Sequence, residues 1–233
     1  MEKNNIIALI PVFNEEKTIR NTILGIINLK IIDRILVIDD GSTDNTIEKI
    51  KDLNVKIIKL KKNMGKGYAI KKGLESLYNI NFSYLVLLDG DLSNTSKEIL
   101  KLLKPVLDKK ADVSIAKITA NKKGGLGLVK SLAKYGTYFY TKCTLESVLS
   151  GQRVYKKEVI NNIHYIPNGY GVETAMTIDI LNSGHSIIEV PVNMKHRETG
   201  RDLKGFMHRG KQFISILYTL IIIFIRRCNN AYI

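Results

Sequence analysis

Three apolar runs and one run broken by lysines, each followed by a polar cluster, leave this chain very few folds to adopt. They are Ile6–Val12, Ile35–Ile38, Val55–Leu60 and Tyr84–Leu88, and the clusters that end them are residues 11–15, 39–44, 63–67 and 89–91. A short run with no polar face reads as a strand buried on both sides, as in a parallel sheet. Between the runs, apolar residues recur at helical spacing: Ile19, Ile23, Ile26 and Ile27, then Ile47 and Ile50, then Ala69, Ile70 and Leu74. Strand and helix alternate about every 25 residues, which predicts an α/β domain with a Rossmann-like, mostly parallel sheet flanked by helices. Such sheets bind ligands beyond the carboxyl ends of their strands. All four polar clusters therefore gather along one rim.

The fourth run leads into Asp89-Gly90-Asp91, two carboxylates around a glycine. Held together at a strand end, the two acids repel each other and lose solvation, so they need a cation. Hard divalent ions such as Mg2+ or Mn2+ take oxygen ligands, keep several waters and grip substrate phosphates. Gly90 lets the backbone pass close to a ligand. A polar turn is the competing reading, and the other clusters on the same rim weigh against it.

Those clusters offer further contacts. In Pro11-Val12-Phe13-Asn14-Glu15, a planar base fits against the turn, with Glu15 accepting a ring N–H. Asn14 reads as a helix N-cap with Glu15 and Glu16 in the first turn, which is the structural alternative for Glu15. Only one of Asp39 and Asp40 need face a base N–H or a ribose hydroxyl, and Asp40 is favoured over a plain Asx turn. Asn63-Met64-Gly65-Lys66-Gly67 lacks Walker A spacing, which excludes a P-loop NTPase. Lys66 meets a phosphate or sugar hydroxyl at a helix N-terminus, or stays a solvated lysine.

The second half is less regular. Helices are expected over Ile99–Leu107, Leu128–Leu145 and within Gly169–Asn182, and strands over Asp112–Lys117 and His185–Val192. Ser150-Gly151-Gln152-Arg153 reads as another ligand-facing turn, and Glu173 is a candidate general base from its spacing to Gly169 and Gly171. The basic segment Met194–Gly210 holds His196, which as a neutral imidazole completes a metal site begun by Asp89 and Asp91. Arg197 and Arg201 in the same segment suit a second phosphate.

The formal net charge is +14, with seven lysines and no acid between Lys56 and Lys72. That balance points to phosphates on nucleotide, nucleic acid or anionic lipid. Cys143 and Cys228 lie far apart in no metal-binding pattern, which suggests free thiols in a reducing compartment. The polar start reads as no signal peptide, which suggests a cytoplasmic location. Phe213–Ile225, as a helix of roughly 20 Å, falls short of the ~30 Å bilayer core. One domain over residues 1–210 is expected, with an apolar C-terminal helix over 211–233 that suits a membrane surface, the core or a dimer contact.

The series Pro11–Glu15, Val37–Asp44, Asn63–Gly67 and Asp89–Asp91 resembles the family 2 glycosyltransferases of GT-A fold, the nucleotide-diphospho-sugar transferase architecture. Within them it is similar to polyprenyl-phosphate (dolichol-phosphate-type) sugar synthases and to glucosyl-3-phosphoglycerate synthases. Ser150–Arg153 resembles the Ser-Gly-Phe-Arg of the former. Gly169–Glu173 and His196-Arg197 resemble the latter, where a histidine joins the metal site. The resemblance implies that Pro11, Phe13, Glu15 and Asp40 hold a nucleoside, that Lys66 lies near the donor, and that Asp89 and Asp91 form a DXD motif at a metal–diphosphate. The chain has no Trp, so it lacks the Gln-x-x-Arg-Trp signature of processive polysaccharide synthases.

The expectation is a Mg2+- or Mn2+-dependent hexosyltransferase. It would use a UDP- or GDP-sugar donor and a phosphate-bearing acceptor, most simply a polyprenyl phosphate, at the cytoplasmic face of a membrane. Catalytic candidates are Asp91, Glu173 and Arg153, with Arg197 and Arg201 near the phosphates. A soluble 3-phosphoglycerate acceptor is the close alternative. A sugar-phosphate nucleotidyltransferase would be expected to carry a Gly-rich loop after the first strand, where Pro-Val-Phe-Asn-Glu stands. A nucleic-acid-binding module would explain the charge but not acids gathered at the rim, so no nucleic-acid partner is expected.

Overall fold

A computed structural model describes residues 5–118, 127–195 and 203–229. Seven strands form one sheet: β1 (Ile6–Val12), β2 (Arg34–Asp39), β3 (Lys56–Lys59), β4 (Tyr84–Leu87), β5 (Val113–Ile118), β6 (Arg153–Lys156) and β7 (Ile187–Val192). Their order is β3-β2-β1-β4-β6-β5-β7. The pairs β1–β2, β1–β4, β2–β3 and β5–β7 are parallel, and β6 alone runs against both of its neighbours. Among the described residues the α-helices are α1 (Ile19–Ile27), α2 (Lys66–Ser76), α3 (Ile99–Leu107), α4 (Leu128–Thr141), α5 (Lys157–Ile160), α6 (Val172–Asn182) and α7 (Leu203–Cys228).

Alternation along β1 sends Ile6, Ala8, Ile10 and Val12 into one core and Ile7 and Leu9 into the other. A third cluster joins Ala133 of α4, Ala175 and Ile178 of α6, and Ile216, Leu220 and Ile223 of α7. Helix α6 is enclosed between the sheet and these two helices. Every residue from Val172 to Ile180 is buried, Glu173 among them, as expected of a helix packed on all sides.

The structure departs from the sequence reading at four places. The segment around Ile47 and Ile50 forms successive turns rather than a helix. Arg20 Nη1 donates to the Lys49 carbonyl at 2.8 Å, and Ile50 and Leu53 bond three residues back. Helix α1 starts at Ile19, with Thr18 at its N-cap position, because Asn14 turns to φ 54° and the next residues bond to the β2 loop instead. Strand β6 was not anticipated. Helix α7 has 26 residues, about 39 Å, so the boundary drawn at residue 210 falls inside it. Length does not stop it from spanning a bilayer; its polar first half does, and no helix among the described residues is long and apolar enough to cross a membrane.

Asp112 ties the far edge of the sheet together. It accepts hydrogen bonds from Lys156 Nζ at 2.6 Å and from the Ser186 amide and hydroxyl at 2.9 and 2.8 Å. Burial alone would raise its pKa, but Lys156 and Ser186 outweigh burial and bring it from 3.8 to about 2. A carboxyl whose pKa is lowered in the folded state stabilises the fold above its unfolded value, and that stability fades as pH falls through the folded one. Asp112→Asn is therefore expected to cost about 2 kcal/mol at pH 7. The difference in urea midpoint from wild type should close between pH 4 and pH 2; a constant difference across that range would refute the assignment.

Candidate active site

The carboxyl ends of β1 and β4 lie side by side where the chain switches direction across the sheet, the crevice in which such folds hold ligands. One wall is a pair of loops fastened to each other. The Asn14 amide donates to Ser42 Oγ, the Glu15 amide to Thr46 Oγ1, and the Thr43 amide to Asn14 Oδ1, all within 2.9 Å. Glu15 Oε2 accepts the Thr18 hydroxyl at 2.8 Å. Pro11 is buried inside β1 opposite Ile38, so Phe13, 42% exposed, is the apolar surface this turn presents.

Asp39 and Asp40 are held in different ways. Both Asp40 oxygens accept backbone amides, from Met64 and Gly65, at 2.8 Å each. Asp40, expected at the nucleoside, therefore holds the 63–65 loop through both of its oxygens. Gly65 needs its φ of 97° there, and a Cβ on it would lie 2.5 Å from the Asn168 carbonyl oxygen. Asp39 is fully buried and its Oδ1 accepts the Ser42 amide, but Oδ2 has no hydrogen-bond partner among the described residues. A buried carboxylate oxygen without a donor carries a desolvation cost that an incoming N–H or O–H would relieve.

Lys66, the first residue of α2, joins residues that the sequence keeps far apart. Its Nζ lies 2.6 Å from Asp89 Oδ1 and 2.7 Å from Glu173 Oε1. Burial would lower the Lys66 pKa, but the two carboxylates outweigh it and hold the ammonium well above the ordinary lysine value. Asp89 Oδ2 accepts Gln152 Nε2 at 2.6 Å. This contact follows from topology: β6 is antiparallel to β4, so the 150–152 turn before it meets the carboxyl end of β4. Gly151 leaves room for the clamp: a Cβ there would lie 2.5 Å from Lys66 Nζ and 2.7 Å from Asp89 Oδ2 and would push both aside.

Two other candidates are enclosed by the protein itself. Arg153 does not face a ligand. It is fully buried and donates to the Ser150, Val148 and Glu173 carbonyls and the Thr177 hydroxyl. It positions the 148–150 turn against α6 rather than touching reacting atoms. Gly90 is crowded by protein: a Cβ would lie 2.7 Å from Val12 Cγ1. His196, Arg197 and Arg201 lie outside the described residues. Gln152 and Asp39 were not foreseen. A glutamine where the resembling motif has phenylalanine was the available signal for Gln152, and nothing local distinguished Asp39 from Asp40.

No group of three metal-ligating side chains forms among the described residues. Even so, Asp89, Asp91 and Glu173 outnumber Lys66 and Arg153 in charge, and Asp91 supplies hard oxygens of the kind Mg2+ and Mn2+ take. A diphosphate entering this rim would need a further cation, so the residues present fit a divalent ion.

An acid-rich rim around one clamped lysine stands at the switch point of this mostly parallel sheet, where α/β folds hold their ligands. Residues 7–163 match the family described as glycosyl transferase family 2, and the chain belongs to that family of glycosyltransferases. An uncharacterized protein of Methanocaldococcus jannaschii is 29% identical over 229 residues, covering 91% of this chain and 99% of that protein. The polyprenol monophosphomannose synthase of Mycolicibacterium smegmatis is 27% identical over 212 residues, covering 83% of this chain and 78% of its own. Among solved structures, glucosyl-3-phosphoglycerate synthase from Mycobacterium tuberculosis, in complex with Mn2+, uridine diphosphate and phosphoglyceric acid, has a TM-score of 0.76 at 24% identity, covering 93% of this chain and 78% of that one. That likeness confirms the GT-A fold expected from the sequence.

Proposed function

We propose that the protein transfers a hexose from a nucleotide-diphosphate sugar to a polyprenyl phosphate. The observation that carries this reading is Lys66, clamped between Asp89 and Glu173 at the carboxyl end of β4. Breaking the anomeric bond loads negative charge onto the departing diphosphate, and a fixed ammonium in a sheltered cleft stabilises that charge without reorganising. Asp89 and Glu173 fix Lys66, and Gln152 fixes Asp89. The base lies against Phe13 and Glu15, with Asp39 Oδ2 in place of Asp40 as the buried acceptor of its N–H.

Asp91, with Asp89 and with His196 from the basic segment, would hold a Mg2+ or Mn2+ ion, which when bound supplies Lewis-acid charge at the diphosphate. Arg197 and Arg201 belong to the same phosphate-binding role. A phosphate acceptor is already anionic near neutral pH, its second pKa being about 6, so it needs no general base. Glu173 is then a positioning group for Lys66. The polyprenyl acceptor is supported by the mycobacterial polyprenol relative and by the net charge of +14. A soluble phosphoglycerate acceptor is the second reading, favoured by a fold match spanning 93% of the chain.

The test is release of nucleoside diphosphate from UDP- and GDP-sugars with Mg2+ or Mn2+, in the presence of polyprenyl phosphate, 3-phosphoglycerate or neither. Release stimulated by polyprenyl phosphate is expected. Stimulation by 3-phosphoglycerate alone would move the assignment to the second reading, and no release with any donor would end both.

A further inference from the structure

The outward side of α4 and α7 has no part in this chemistry, yet it is strongly apolar. Along α7, Met207, Ile214, Tyr218, Ile221 and Ile225 are exposed, Ile214 by 67%. Their spacing of seven, four, three and four residues lines them up on the side of the helix opposite buried Ile216, Leu220 and Ile223. On α4, Leu128, Tyr135 and Phe139 form a similar exposed stripe. The two helices make one slab. Gly136 closes on Leu220, where a Cβ would lie 2.5 Å from Cδ1, and the Tyr140 hydroxyl donates to the Leu220 carbonyl at 2.8 Å. Exposed apolar surface this continuous marks an interaction site.

Charge decides the partner. Neither helix, 14 and 26 residues long, contains an acid. Exposed Lys130, Lys142 and Lys211 flank the slab, and Arg226 and Arg227 end α7. Lys142 lies over the rings of Tyr138 and Phe139, at 5.7 and 5.5 Å. A second copy docked on the same face would set these cations against their own counterparts, with Glu146 beside α4 already paired to Lys134. An anionic bilayer supplies both an apolar layer for the aromatic and aliphatic stripes and negative headgroups for their basic flanks.

We propose that α4 and α7 together lie in the headgroup layer of an anionic membrane, apolar stripes inward. This rests on the proposed reaction only for its purpose. Helix α7 also packs on the turn that starts α6: Cβ atoms on Gly169 and Gly171 would lie 2.7 Å from Ser215 Oγ and 2.0 Å from Thr219 Oγ1. Glu173 follows two residues on, so the lipid-facing helix stands one layer from the Lys66 clamp and a lipid-borne acceptor would have a short path.

The test is flotation of the whole chain with phosphatidylcholine vesicles, with and without phosphatidylglycerol, at low and high salt and without polyprenyl phosphate. The protein should float with the phosphatidylglycerol vesicles, and salt should weaken binding. The triple variant Ile214→Ser, Tyr218→Ser, Ile225→Ser should keep the wild-type melting temperature and lose about tenfold or more in partitioning. Wild type failing to float, or the variant floating equally well, overturns the proposal. So does a dimer in sedimentation equilibrium that the variant abolishes without any flotation, because the face is then a protein contact. Since the vesicles carry no acceptor, failure here leaves the transfer reaction standing, and failure of transfer leaves vesicle binding standing.

Discussion

Lys66→Met should lower turnover by about two to three orders of magnitude, the typical loss when one preorganised donor to a developing oxyanion is removed. The ammonium sits 2.6 Å from Asp89 and 2.7 Å from Glu173, with 27% of its side chain exposed. Without it, two carboxylates share a sheltered site, and like charges in that position drive one of them to take up a proton. Breaking a buried pair costs about 3–5 kcal/mol; partial exposure brings the expected loss here to about 2 kcal/mol. Stability and catalysis are then separable. Adding Glu173→Gln to Lys66→Met removes the repulsion and should restore most of the lost stability while leaving turnover low, a coupling that a double-mutant cycle measures. A purely structural lysine would show the reverse, with activity recovering alongside stability. Wild-type turnover in Lys66→Met would remove the central residue of the proposed site.

Apart from the helix expected around Ile47 and Ile50, the order of elements through α3 was legible because the information is local. Ile6–Val12 and Ile99–Leu107 appear as read, and β4 differs from its expected run by a single residue. Buried strands have no polar face to confuse with a helix, and the turns after them are rich in Asp, Gly and Asn. Strand β6 was hidden because Arg153-Val-Tyr-Lys is four residues long and begins and ends with a charge. The signal for a buried arginine lay elsewhere, in carbonyls of the 148–150 turn and α6 that the chain brings around it. The choice between Asp39 and Asp40 was lost for the same reason. They are neighbours with identical side chains, and what separates them is a loop some twenty residues later whose amides reach Asp40. Glycine spacing did find Glu173, but nothing in the sequence announced that its partner would be Lys66. Helix α7 was cut short because Lys204, Arg209 and Lys211 in its first part read as a polar segment. They follow the same helical path as the apolar part, whose inner side α4 and α6 cover.

Asp91→Ala tests the other half of the electrostatic argument. Asp91 follows Gly90 beyond the end of β4, and it is half-buried rather than packed in the core. The substitution removes no apolar contact of the kind that produces large losses in stability. The melting temperature should therefore change little. Turnover should fall by about three orders of magnitude or more, because losing a carboxylate ligand to a divalent ion forfeits several kcal/mol of charge stabilisation at the leaving group. A binding measurement separates this from a general loss of shape. In the wild type, Mn2+ should tighten nucleoside diphosphate binding in calorimetry; in Asp91→Ala that tightening should vanish while the metal-free affinity, which the proposed site draws from Phe13, Glu15, Asp39 and Lys66, remains. Asp89→Ala should behave differently. It releases Lys66 and Gln152 together, so metal-free binding weakens as well and the fold loses part of its clamp. Two acids one residue apart that look equivalent in the sequence would thus differ, Asp91 serving the metal alone and Asp89 also holding the lysine. If the two variants lost the same fraction of every measured quantity, that division of labour would be wrong.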